Sequence, residues 1–488
     1  MHLSLFLLSA LLTPTAQEPE APNHGLPHPV YPVFDLDGQA SPYSERPHWV
    51  SLEPSWFDAE PLLYSDIRAA LLERRAGAAA LTEDVLQSWV HATRPGSLMV
   101  NYRILVDGYE ALVGREAIPM GRGISFGDLT RKHSVLDFDV EIASGSGIFD
   151  PVMGTQVSGA SLALQALPVP GRGWALETAM VYSKRLPGSP IALDYVQVEG
   201  KDRLITRLAE SGGQTLLVPG APLTVELPAL GPGRVTMEII ADSAAPAGPV
   251  ALTEEVVFLA APTLALSPHW DRVVRGLEEN HVIWVNRQGD ILFEGADAMT
   301  AATATMQVVQ RLSNPISVKV GVEQVIGGVE GARTDLATTT LEDTRLAFAQ
   351  GTLRDALIDW DVEVAQVARI GDPVFHHFFS GWEGELSTRR LAGGGYEVDL
   401  DLRFTVVDVS EPKPLRLAAY QPGTKGYEGE IPASPAHTMN VEVPEVREVR
   451  FQGTYETDAD GRLLLIRSAN AVLEDAGRLR LELQLSEG

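Results

Sequence analysis

Cysteine is absent from the 488 residues. That absence excludes disulfides, thiolate metal sites, iron–sulfur clusters and a cysteine nucleophile together. Basic residues are scarce: 38 Lys and Arg stand against 65 Asp and Glu, for a net charge of −27. So acidic a chain is a poor fit to nucleic acid or to an anionic membrane surface, both of which call for a basic face. After the N-terminus, no stretch reaches the roughly 18 consecutive apolar residues of a membrane helix. There is no H-E-x-x-H, no phosphate-cradling loop and no complete dinucleotide fingerprint. No cofactor and no nucleotide chemistry is therefore expected. Long helices are also disfavoured, because 44 glycines and 33 prolines punctuate the chain and favour turns and strands. The length suggests two large domains or about three ordinary ones, enough for a core without covalent staples.

The chain opens MHLSLFLLSALLTPTAQEPEAP. Leu3 to Leu12 is an apolar stretch of signal-peptide length, followed by Thr13, Pro14, Thr15 and Ala16. Cleavage is expected after Ala16, and with it export to the periplasm, the cell envelope or the exterior. An oxidising destination permits disulfides without requiring them. Pro14 to Pro61 then holds ten prolines interspersed with Tyr31, Phe34, Tyr43, Trp49, Trp56 and Phe57. Aromatics are sparse in a purely solvated linker, so this segment reads as an extended arm that docks in part on the body.

The most informative feature is internal. Asp137–Ala143, DFDVEIA, returns as Asp359–Ala365, DWDVEVA. Asp150-Pro151-Val152 matches Asp372-Pro373-Val374, Ser158-Gly159 matches Ser380-Gly381, and Gly171 and Gly173 match Gly393 and Gly395. Every pair is 222 residues apart, and 14 of the 40 positions from Asp137 to Leu176 are identical. Two or three identities would arise by chance, so one unit occurs twice. The expected fold is α+β and predominantly β: two related β-rich domains with few short helices. The organisation reads as a signal peptide over 1–16, a proline-rich arm over 17–61, a first repeat domain over 62–262 and a second over 263–488.

The shared positions suit strands. In DVEIA and DVEVA the side chains alternate between faces, as on a half-buried strand. Asp-Pro is expected to begin a turn. Gly171-Arg172-Gly173 and Gly393-Gly394-Gly395 read as hairpin tips after Leu162–Leu167 and Gly384–Arg389. Further strands are expected at Leu98–Leu105, Leu223–Leu227, Arg234–Ile240, Val256–Leu259, Ile316–Ile326, Val446–Thr454, Leu463–Ile466 and Leu479–Leu485. Helices are expected over Asp66–Glu73, Glu83–Ala92 and Ala296–Leu312. On the last, Met299, Ala302, Met306, Val309 and Leu312 recur at helical spacing as a core stripe. Preceded by a hairpin over His281–Glu294 and followed by Ser317–Ile326, this helix would complete a ββαβ-like module that opens the second repeat.

The segment His281–Val325, HVIWVNRQGDILFEGADAMTAATATMQVVQRLSNPISVKVGVEQV, resembles the small periplasmic modules of bacterial secretins. Ser158–Val181, SGASLALQALPVPGRGWALETAMV, is similar to a hairpin of the β-rich secretin core. The resemblance spans about a third of the chain and consists of hydrophobic patterns with glycines. It implies an envelope-located assembly or scaffolding protein, oligomeric through such modules. The chain departs from the family in showing no long pair of alternating strands with an apolar band of the kind a pore uses.

Several local patterns bear on chemistry. Gly123-Ile124-Ser125-Phe126-Gly127 matches G-x-S-x-G, which acts only on a strand–turn–helix. The charged run Asp128–His133 that follows suits no buried helix. Asp139 with Glu141, and Asp361 with Glu363, place two carboxylates on one strand face in both copies, as calcium binding or acid–base work uses. A solvated face explains them equally, and no calcium-loop spacing accompanies them. His376-His377-Phe378-Phe379 replaces Gly154-Thr155-Gln156-Val157 of the first copy. Neighbouring histidines on a strand point to opposite faces and do not share a metal. An aromatic interaction patch continued by Trp382 fits better, with substitution in the second core as the alternative. The expected function is an exported, non-enzymatic scaffolding or interaction protein of a bacterial envelope, acting through protein partners or self-association. The alternatives are a carboxylate-based hydrolase and a calcium- or carbohydrate-binding module.

Overall fold

The structure is a computed structural model. It describes residues 97–119, 123–143, 146–193, 200–228, 234–252, 254–262, 282–285, 289–326, 329–365, 368–409, 413–416, 438–469 and 477–488. The signal-like start, the proline-rich arm and the helices expected over 66–73 and 83–92 lie outside the described residues.

Strand periodicity dominates from the first described segment. In β1 (Ser97–Val106) Leu98, Val100, Tyr102 and Ile104 are buried while the residues between them are not. A turn at Asp107 and Gly108, both at positive φ, leads into β2 (Tyr109–Pro119). That is the geometry of the tight turns that match strand twist. The same in–out alternation builds β9 (Pro222–Pro228), β10 (Arg234–Ala241), β15 (Pro315–Ile326) and β24 (Arg478–Glu487). With β16 (Val329–Leu341) and β23 (Arg462–Ser468) they form an eight-stranded antiparallel sheet in the order β2-β1-β10-β9-β16-β15-β24-β23.

A second eight-stranded sheet runs β22-β19-β18-β17-β8-β5-β4-β3. Its strands are β3 (Ile124–Ala143), β4 (Ser146–Val169), β5 (Gly173–Leu186) and β8 (Ile205–Leu217) from the first repeat. The second repeat supplies β17 (Arg345–Ala365), β18 (Ala368–Arg390), β19 (Tyr396–Val409) and β22 (Pro444–Glu456). The two sheets enclose one apolar core. Leu98, Val100, Leu481 and Leu483 of the first sheet meet Leu162, Trp174, Leu176 and Phe451 of the second. β5 is buried along almost its whole length, because the second sheet is covered on both faces at its centre.

Each half of each sheet has the same internal order. The run β2-β1-β10-β9 recurs as β16-β15-β24-β23, and β8-β5-β4-β3 recurs as β22-β19-β18-β17. The register irregularity between Val135 and Asp137 returns between Leu357 and Asp359. Gly159 and Gly381 both have positive φ, and a Cβ on either would collide with a backbone oxygen of the facing strand, Asp128 in one repeat and Gln350 in the other. Only glycine accommodates both demands, which accounts for a glycine at this position in both repeats.

The expected strands fall within observed ones wherever their residues are described, but three expectations are corrected. Asp150-Pro151 and Asp372-Pro373 start no turn; they lie inside β4 and β18. Pro151 faces Phe138 and Pro373 faces Trp360, in stretches where each strand pairs on one side only among the described residues, since β5 joins β4 from Gly159 onward and β19 joins β18 from Gly381 onward. A missing N–H costs nothing on an unpaired side. Secondly, long strand pairs exist, which corrects the expectation as to length and not as to the apolar band: β3 and β4 have 20 and 24 residues, β17 and β18 have 21 and 23. Charges and a proline interrupt their pattern and hide their length. Thirdly, the module around the helix is assembled differently. β13 (Val282–Val285) and β14 (Asp290–Glu294) form the expected hairpin, and α1 (Ala298–Leu312) follows. The strand after the helix, β15, joins the large sheet instead. The small sheet is completed by β11 (Val250–Ala251) and β12 (Val256–Ala260) from the end of the first repeat. Ala298, Ala302 and Val309 of α1 pack on this sheet together with Val169 and Leu216, whereas Met299 is exposed. Among the described residues no helix is long and apolar enough to cross a membrane.

Candidate functional site: the repeat junction and the free sheet edges

The two repeats are joined through both large sheets. β8 of the first repeat pairs with β17 of the second from Gly212–Ala347 to Ile205–Arg354. β9 meets β16 at Glu226–Ala337. Beyond the sheets, the paired stretches β3–β4 and β17–β18 continue as two antiparallel ribbons. Phe138 of the first ribbon packs with Leu357, Trp360 and Phe375 of the second.

Between the ribbons lies a buried ionic cluster. The connector from β5 to β8 makes a small hairpin of β6 (Ile191–Ala192) and β7 (Gly200–Lys201). It delivers Lys201, whose Nζ donates to Asp355 Oδ2 at 2.6 Å and to the Leu136 carbonyl at 2.8 Å. The same ammonium sits 3.9 Å from the centre of the Phe375 ring. The side chains of Lys201 and Asp355 are 1% and 0% exposed. Asp355 Oδ1 accepts the Leu204 N–H at 2.8 Å, so the carboxylate is held by both a side chain and the backbone. Next to it, Arg203 forms a two-pronged pair with Glu442 and donates to the Asp355 carbonyl at 2.8 Å. Glu442 also accepts the Leu357 N–H at 3.2 Å. Groups of the first repeat thus clamp a strand of the second with charge-assisted bonds.

Titration follows from burial. Burial pulls the Lys201 ammonium below its usual range while Asp355 opposes that pull. Asp137, beside the register irregularity, is pushed up to about 6, mainly by burial. The Phe138 N–H and Lys201 counteract part of that rise, and Asp139 adds to it. His377 faces Asp355 across the strand pair. Burial, with the nearby charges of Lys201 and His376, drives its imidazole down to about 3, so it is neutral.

The candidates from the sequence lie as follows. Asp139 and Asp361 are exposed on β3 and β17, opposite Asp150 and Asp372. The side chains of Glu141 and Glu363 lie outside the described residues. Among the described residues no group of three or more His, Asp or Glu side chains is placed to hold a metal ion. His376 is half-buried and His377 buried, on successive positions of β18. Phe378, Phe379 and Trp382 are buried, in three separate apolar clusters, and Trp382 stacks on Phe404 at 4.3 Å. They fill the protein's own interior and form no surface patch. Ser125 lies inside β3, not on a strand–helix turn, so G-x-S-x-G is no nucleophile elbow here. Sequence reading missed Lys201, Asp355, Arg203 and Glu442. Lys201-Asp202-Arg203 looks like a solvated turn, and nothing local marks Lys201 as buried or Arg203 as largely covered.

At each end of the sandwich two strands have an unpaired side among the described residues: β2 and β3 at one end, β23 and β22 at the other. Val113 on β2 is 59% exposed, and Leu464 and Ile466 on β23 are 51% and 55% exposed. Apolar side chains on open edge strands are the feature that soluble β proteins ordinarily suppress.

No protein-family model matches the chain, and no curated protein matches it. Among solved structures the chain is similar to the Salmonella SPI-1 type III secretion injectisome secretin InvG, at 11% identity and a TM-score of 0.15, covering 44% of this chain and 75% of that one. It is also similar to the type II secretion system secretin GspD of E. coli K12, at 10% identity and a TM-score of 0.17, covering 48% and 62%. A chain of the Klebsiella pneumoniae type II secretion system outer membrane complex of PulD, PulS and the PulC HR domain is similar at 8% identity and a TM-score of 0.16, covering 62% of each. The likeness to secretins is a faint one.

Proposed function

We propose that this protein is a structural, non-enzymatic component of a bacterial envelope that works by associating with copies of itself. One observation carries the reading. The two repeats are already joined edge to edge through both sheets, and the edges left open at the outer ends among the described residues are the repeat-equivalents of the edges that are joined. A heterologous surface of this kind presents a donor edge at one end and an acceptor edge at the other, and it grows by head-to-tail addition until a ring closes. The signal-like N-terminus supports an exported location. Light scattering coupled to size exclusion of the full chain tests the proposal. Species well above the 52.7 kDa of one chain are expected. A single species at that mass across micromolar concentrations would refute it.

A further inference from the structure

The pairing within the chain defines how a second copy would have to add. Strand equivalences follow from the registers. Ala175–Leu216 and Glu397–Glu456 are matching pairs, so β8 maps onto β22 at a spacing of 240. Pro222–Ile240 and Arg462–Gln484 are matching pairs, so β9 maps onto β23 at the same spacing. β17 maps back onto β3 at 222, and β16 maps back onto β2 at 222.

Resting on the self-association proposed above, we infer that a second copy adds with β22 and β23 of one chain pairing β3 and β2 of the next, in the register that joins the two repeats. Transferring Ile205–Arg354 sets Glu445 opposite Lys132, and transferring Ser211–Phe348 sets Phe451 opposite Phe126. Transferring Glu226–Ala337 sets Ile466 opposite Arg115. Three independent properties agree with this alignment. Inward faces meet inward faces: Phe451 is fully buried, and Phe126 packs against the same core from the other end. Charges oppose: Arg131, Lys132 and His133 line the exposed edge of β3, and Glu445, 69% exposed beyond its 3.2 Å contact with Arg447, stands on β22. The exposed apolar side chains also come together, since Val113 on β2 would lie one diagonal step from Ile466, with Leu464 beside Ala117.

The junction between copies nevertheless differs from the one inside the chain. Ile191–Lys201 corresponds to Lys413–Val441, so Val441 stands where the first repeat has Lys201. His133 stands where the second repeat has Asp355. The buried ion pair therefore has no counterpart between copies, and the inter-copy contact is the one that opens and closes.

Because the chain has no cysteine, the register can be read directly by disulfide trapping. The double variant Lys132→Cys with Glu445→Cys, oxidised at micromolar concentration, is expected to yield a ladder of covalent dimers, trimers and higher species on a denaturing gel. The pair Lys132→Cys with Thr454→Cys, nine strand positions away, is expected to yield none. Ile466→Asp, at an exposed site that leaves the fold intact, is expected to reduce the scattering mass towards that of one chain. An assembly that forms in light scattering but gives no ladder for 132–445, or an equal ladder for 132–454, would overturn the register and leave self-association standing. A monomeric parent chain would overturn both.

Discussion

Breaking the Lys201–Asp355 pair tests whether the two repeats are held by buried charge. The two side chains are almost wholly inaccessible and 2.6 Å apart. Replacing Lys201 by Met keeps the aliphatic stem against Phe375 and strands a buried carboxylate. Replacing Asp355 by Asn keeps an acceptor for the Leu204 N–H and strands a buried ammonium. Removing one member of such a pair costs about 3 kcal/mol or more. The double variant loses the pair and the bond from Lys201 to the Leu136 carbonyl but leaves no charge behind, so it should cost about 2 kcal/mol. A double-mutant cycle should therefore show a coupling of about 4 kcal/mol. Urea denaturation is the suitable assay, because guanidinium would screen the charges in question. Tryptophan fluorescence follows the transition, and samples dilute enough to be monomeric separate folding from association. Single variants within about 1 kcal/mol of the parent, or additive losses, would show that the ammonium and carboxylate reach water and that the clamp is not closed in solution.

Three further outcomes are expected. Asp137 holds its proton in the fold up to about pH 6, and His377 refuses one until about pH 3. Between pH 4 and 6 the folded chain retains the Asp137 proton that the unfolded chain has released, while the unfolded chain takes up the His377 proton that the folded chain rejects; the two slopes oppose. Asp137→Asn should therefore make urea midpoints fall more steeply on acidification from pH 6 to 4, and His377→Gln should flatten or reverse that fall; midpoints that move in parallel with the parent would contradict the assignment. Gly159→Ala and Gly381→Ala should each lower stability by about 2 kcal/mol or more, since both meet a positive φ and a facing carbonyl; thermal melts unchanged by either would contradict the geometry. Arg203→Met should release the connector hairpin that Glu442 and Asp355 hold, seen as faster amide exchange over 200–205 with the core sheets unaffected.

Much of the β architecture is legible from residue patterning. Leu479, Leu481, Leu483 and Leu485 alternate with polar residues and announce β24 without help, as Ile316, Val318, Val320 and Val322 announce β15. The spacing of 222 between Asp-Pro and Ser-Gly pairs locates equivalent strands without reference to their partners. What patterning could not supply was pairing partners. β15 reads as the last strand of a small module because it follows α1, yet its neighbours are β16 and β24, the latter more than 150 residues on. Asp150-Pro151 reads as a turn because local propensity knows nothing of an unpaired strand side. The aromatic run Phe378-Phe379 looks superficial beside two histidines, although strand alternation within a doubly covered sheet buries both faces. The ionic clamp was illegible for the same reason: Lys201 and Asp355 are 154 residues apart and meet only through the fold.

Carrying two repeats on one polypeptide has an arithmetic outcome. Whatever closed object is built from whole copies holds an even number of repeats, and every second seam in it is covalently guaranteed. Half of the joints then need no encounter between molecules, and taking the object apart can only proceed in units of two.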